Sequence, residues 1–178
     1  YIGEDAVNTA LSKYIKKVKF QEPPYTNSIE FLDFIRAETP DSLQYVVTDM
    51  FEKITLFDNK TKSFEYEETE DGEYLVTLTL EAKKMYADSL GTETEVPIND
   101  WIDIGIFTEK NISGKKVVKP TYFKKHKITE NEETLTILVK HKPINGGIDP
   151  YNKLIDRNPF DNVNNDNIEP SAMNMRAE

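Results

Sequence analysis

Asp71-Gly72-Glu73-Tyr74-Leu75-Val76-Thr77-Leu78-Thr79-Leu80-Glu81-Ala82-Lys83-Lys84-Met85-Tyr86-Ala87 is the stretch that decides the fold. Tyr74, Val76, Leu78 and Leu80 recur at every second position, the period of a half-buried β-strand. The Asp71-Gly72 pair before it is a hairpin turn, because glycine supplies the positive φ that tight turns need. The strand therefore has an antiparallel partner upstream, and Ile54–Tyr66 is rich enough in β-branched and aromatic residues to be it. Downstream, Trp101–Glu109, Lys115–Lys127 and Glu133–Lys142 read as further strands. Turns at Ser113-Gly114 and at Thr129-Glu130-Asn131 separate them.

Upstream the period is helical. Val7, Ala10, Leu11, Tyr14, Ile15 and Val18 form one stripe over Glu4–Lys19. Pro23-Pro24 forces a linker. Asn27 with Glu30 is a capping-box-like start for a second helix carrying Ile29, Leu32 and Ile35. Thr39-Pro40-Asp41 ends that helix and opens a third, whose buried stripe is Leu43, Val46, Val47, Met50 and Phe51. The fold class is thus α+β: N-terminal helices followed by an antiparallel β-sandwich of the immunoglobulin-like kind. The expected divisions are a helical segment over 1–52, the sandwich over 53–145, and a partly disordered extended tail over 146–178. Gly146-Gly147, Asp149-Pro150, Asn158-Pro159 and an Asn/Asp-rich tract suggest that tail.

Composition narrows function mostly by exclusion. A net charge of -10 over 178 residues repels phosphate backbones and anionic lipid surfaces, so nucleic acid is not an expected partner. The absence of cysteine removes thiol catalysis, thiolate metal sites and disulfides. No stretch approaches the ~18 apolar residues of a membrane span, so this segment reads as a soluble object. It begins at Tyr1, inside what looks like regular structure, which suggests an excised or processed piece.

A zinc peptidase needs two histidines one helical turn apart with a glutamate between them. The two histidines here, His126 and His141, fall in expected strands among lysines and read as solvent-facing. No serine has the small flanking residues of a nucleophile elbow, and Gly146-Gly147 lacks the spacing of a phosphate loop. The acidic run Glu67-Glu68-Thr69-Glu70-Asp71 lacks calcium-loop spacing and reads as a solvated hairpin end. Trp101, with apolar isoleucines around it, reads as a plug at one end of the sandwich core, with sugar stacking as the other reading. Asn59-Lys60-Thr61 and Asn111-Ile112-Ser113 match the short glycosylation pattern.

Several phrases in order resemble one family. Tyr1-Ile2-Gly3-Glu4-Asp5-Ala6-Val7-Asn8 is similar to the helix after the catalytic tyrosine segment in aminopeptidase N and leukotriene hydrolase-like zinc metallopeptidases. Asp49-Met50-Phe51-Glu52-Lys53-Ile54-Thr55-Leu56-Phe57-Asp58-Asn59, Glu95-Val96-Pro97 with Asp100 to Phe107, and Gly147 to Asn158 resemble the C-terminal part of bacterial members. In those members the peptidase-like domain is fused behind a transporter-permease-like membrane region. The resemblance implies a chain that is structural and not catalytic by itself. It places the zinc, its H-E-x-x-H helix, its glutamate ligand and its tyrosine upstream of Tyr1, so no catalytic, cofactor-binding or metal residue is carried onto this chain. The implied partner is the upstream catalytic domain of the same polypeptide, in a bacterial membrane protein. Helix faces left bare would favour self-association. An autonomous cell-surface module binding glycan or protein is the alternative.

Overall fold

The structure is a computed structural model and describes residues 1–164. It confirms the α+β class: helices first, then an antiparallel β-sandwich. The chain divides into two compact units, Tyr1–Thr55 and the residues from Leu56 onward.

In the first unit, α1 spans Glu4–Val18, α2 Ser28–Glu38 and α3 Gln44–Phe51, with a 3₁₀ turn at Asp41–Leu43 before α3. The Asn27 side chain accepts from the Glu30 N–H at 3.0 Å, the cap that the sequence foretells. Gly3, which precedes α1, has φ 88°. Ala10 is completely buried against Ile35 and Val47, with Phe31, Leu32 and Phe34 around them. The Tyr14 ring meets Phe31 and Phe34 edge-on at 5.2 and 5.7 Å. Arg36 joins α2 to α3: its guanidinium donates to Gln44 and Thr48 and pairs with Glu52 at 2.6 Å.

In the second unit, β1 (Ile54–Glu68), whose first two residues belong to the helical unit, lies beside β2 (Tyr74–Ala87). The other edge of β2 is shared by β6 (Glu132–Val139), which pairs with Tyr74–Glu81, and the short β3 (Glu93–Val96), which pairs with Lys84–Ala87. The second sheet has the order β5-β4-β7-β8: β5 Lys115–Ile128, β4 Asp100–Ile112, β7 Asn145–Ile148 and β8 Val163–Asn164. The foretold turns are present. Gly72 has φ 74°, and Ser113 and Gly114 both have positive φ, the requirement of a two-residue hairpin loop.

Val76, Leu78 and Leu80 of β2 face Ile102, Ile104 and Ile106 of β4 and Ile148 of β7 in one core. Each such fully buried aliphatic side chain contributes about 1.5–3 kcal/mol.

The segment from residue 146, expected as an extended tail lying first on the sandwich, does lie there, but it begins as a strand of the second sheet, and the stretch 165–178 lies outside the described residues. Gly146–Ile148 is an inner strand of the second sheet, paired with β4 on one side and β8 on the other. Pro150 and Tyr151 then cover the outer face of β4, where the Tyr151 ring lies 6.1 Å from Phe107. The chain next runs beside β1. The N–H of Phe57 donates to Ile155 O at 2.8 Å, and that of Thr61 to Asp161 O at 2.9 Å. The glycines that look like chain breakers are there because nothing larger fits. A Cβ on Gly147 would lie 2.0 Å from Asn162 O and 2.5 Å from Thr61 Oγ1.

Gly147→Ala is therefore expected to lower the stability of the sandwich by about 3 kcal/mol, at the upper end for overpacking. Gly72→Ala, strained in φ but in open space, is expected to lose only about 1 kcal/mol. Urea denaturation of the two variants checks the contrast, and equal effects would contradict the close approach.

Candidate functional site

The two histidines are held far apart. His126 lies opposite Ile102, near the start of β4, while His141 lies beside Lys110, near its end. Thr108, whose hydroxyl donates to Lys142 O next to His141, lies six residue steps along the strand from Ile102, a span of roughly 20 Å, so the two imidazoles cannot share one ion. His126 is half-buried, with Nε2 2.6 Å from the Tyr122 hydroxyl. Burial holds its pKa below the usual histidine value, against the opposing pull of Glu133. Burial likewise raises Tyr122. Among the described residues no group of three His, Asp or Glu side chains converges as a metal site. No helix among them is long and apolar enough to cross a membrane.

Two buried ionic groups escape a reading of the sequence. Lys84 occupies the last inward position of the β2 stripe and is only 4% exposed. Its ammonium donates to both oxygens of the buried Asp100, at 2.9 and 3.2 Å, between the rings of Phe57 and Tyr86. The only signal in the sequence is a lysine in phase with Val76, Leu78, Leu80 and Ala82.

Asp103, also buried, accepts from Lys125 at 2.9 Å and from Lys153 at 2.8 Å. Burial pushes its carboxyl up, but the hydrogen bonds and charges of the two lysines together outweigh it and hold the pKa below the usual range. Burial raises Asp149, although its oxygens accept from the Lys153 and Leu154 N–H groups. These carboxylates fasten the 149–154 segment to the sheet.

A cleft of about 730 Å³ lies at the end of the sandwich where the β1–β2 and β4–β5 hairpins project. Gly72 and Tyr74 line it from one hairpin and Thr108 to Asn111 from the other, with Lys140, His141, Lys142 and Ile144 as the floor. The Lys110 Nζ lies 3.2 Å from His141 Nε2. The floor is fixed in place. Thr108 Oγ1 donates to Lys142 O at 2.8 Å, the Ile144 N–H donates to Phe107 O at 2.9 Å, and Pro143 between them is fully buried.

Three sequence readings change, the first being His126, which is half-buried against Tyr122 and not solvent-facing. Trp101 is 38% exposed and lies on the outward side of β4 while its neighbours Asp100 and Ile102 are buried, so it does not plug the core. Asn59 is completely buried on the inward face of β1, which removes it as a glycosylation acceptor; Asn111 is exposed.

Lys84→Met is expected to destabilise by about 3–5 kcal/mol by stranding Asp100, and Lys84→Met/Asp100→Leu to recover most of that loss. Denaturant midpoints of the single and double variants decide it. Asp103→Asn is expected to cost about 1.5–3 kcal/mol at neutral pH, the range of a hydrogen bond to a charged group. Because the folded pKa of Asp103 is lowered, its contribution is present above the unfolded value near 4. It is lost as pH falls through the folded value, so the gap between variant and wild type should close in acid. Melting curves across that window test the sign.

No protein-family model matches this chain, and comparison with curated proteins gives no match.

Proposed function

We propose that this chain is a structural, non-catalytic C-terminal segment of a membrane-associated zinc aminopeptidase-like protein, whose helical unit packs against the upstream catalytic domain of the same polypeptide. The observation that carries this reading is an uncovered apolar cleft of about 530 Å³ in the helical unit. Val7, Leu11, Phe31, Val46, Met50 and Phe51 line it. Met50 is 66% exposed and Phe51 56%, and Ile15 on the same stripe as Val7 and Leu11 is 56% exposed. A monomeric soluble domain rarely leaves so continuous an apolar face bare. The order of the phrases running from Tyr1 to Asn158 supports the same family. On this reading zinc and the reacting groups belong to the upstream part, and the present residues brace it.

A second reading, a cell-surface sandwich module that binds glycan or protein, draws support from the cleft between the hairpins, since loops at one end of a sandwich are a common place for binding sites.

The bracing reading predicts that the 178-residue chain self-associates and binds a hydrophobic dye, and that Leu11→Glu/Met50→Lys abolishes both while leaving the melting of the sandwich unchanged. Sedimentation equilibrium and dye fluorescence measure this. A wild-type chain that stays monomeric and dark at high concentration would sink the docking role of the helical face.

A further inference from the structure

We propose that the cleft between the two hairpins is a binding site for a phosphate group carried by a small molecule. This inference stands apart from the bracing role, because it rests on the sandwich alone.

The chain is strongly acidic overall, yet Lys110, Lys140, His141 and Lys142 line one cleft there. Among the described residues none of the three lysines has a carboxylate partner, and the one acidic side chain on the lining, Glu109, is engaged by Lys116 at 3.0 Å. Several lysines elsewhere in the sandwich are paired, Lys62 with Glu132, Lys83 with Glu81, Lys84 with Asp100, and both Lys125 and Lys153 with Asp103; what sets the cleft apart is that its three lysines and His141 line one concave surface. Positive charge left unpaired in a concave site attracts an anion, and the low-dielectric walls concentrate the field.

The geometry narrows the anion further. Lysines act as point charges that suit the several oxygens of a phosphate, whereas a lone carboxylate is better matched by the planar fork of arginine. The bonds from Thr108 and to Phe107 on either side of buried Pro143 hold the floor in place, so the lysine backbones need not be ordered on binding. In the unliganded arrangement the Lys110 ammonium donates to His141 Nε2; a phosphate oxygen would take over that donor. A volume of about 730 Å³ exceeds a bare phosphate and lies in the range of small-molecule sites. Tyr74 and Ile144 offer a ring and an aliphatic face to the rest of the ligand.

The test is calorimetric titration of the chain, in phosphate-free buffer, with inorganic phosphate, with glucose 6-phosphate and with glucose. The expected result is saturable one-to-one binding of glucose 6-phosphate, weaker binding of inorganic phosphate and none of glucose. Lys110→Ala/Lys142→Ala should weaken binding at least tenfold with an unchanged Tm, since both side chains are exposed. Lys16→Ala/Lys19→Ala, in the helical unit, should leave it intact. Binding that rises with salt removal but is equally lost in both double variants would mean diffuse charge attraction and would overturn the site. So would no heat with either phosphate probe up to about 10 mM, a free energy too small for a specific site.

Discussion

The carbonyl oxygen of Asn162 occupies the space that a side chain on Gly147 would fill, and the sandwich depends on that contact. The same oxygen accepts from the Ile148 N–H at 2.9 Å and from the Thr61 hydroxyl at 2.6 Å. Ile148 belongs to the second sheet and Thr61 to the first, so one backbone group ties both sheets to the returning chain. Around it the segment from Pro150 to Asp161 covers the outer face of β4 and then runs beside β1. An edge strand with unpaired backbone groups is thereby occupied, and a template for unwanted strand addition is removed.

The helices and the long hairpins are legible in the sequence because their determinants are local. Asn27 caps α2 three residues from Glu30, Asp71-Gly72 sets the β1–β2 turn, and the period of two along β2 points Val76, Leu78 and Leu80 into the core. What stays hidden depends on partners far away in the chain. Gly146-Gly147 looks like a breaker until Asn162 and Phe64 are placed against it. The Asp156 carboxylate receives the Asn59 N–H, 97 residues away in sequence. Trp101 looked like core because isoleucines flank it, but strand alternation sends it to the opposite face from Ile102 and Ile104. The basic cleft is hidden for the same reason. Lys110 and His141 are 31 residues apart, and only the crossover after β6 brings them together.

Polar groups inside the sandwich mostly act as fasteners. Lys84 with Asp100, and Asp103 with Lys125 and Lys153, are satisfied pairs whose cost of desolvation is offset by direct hydrogen bonds. Such pairs favour a single register over close alternatives, since a one-residue slip would send each charge to the wrong face. The helical unit is the opposite case: its polar ties through Arg36 are internal, while its apolar stripe is left open. The proposed bracing role rests on that open helical face.

The most direct test of that role is zinc content together with hydrolysis of aminoacyl fluorogenic substrates, measured on this chain and on a polypeptide extended upstream by about 250 residues, the scale of a large domain. The account predicts metal and turnover in the longer polypeptide alone. Turnover with bound zinc in the 178-residue chain by itself would contradict it.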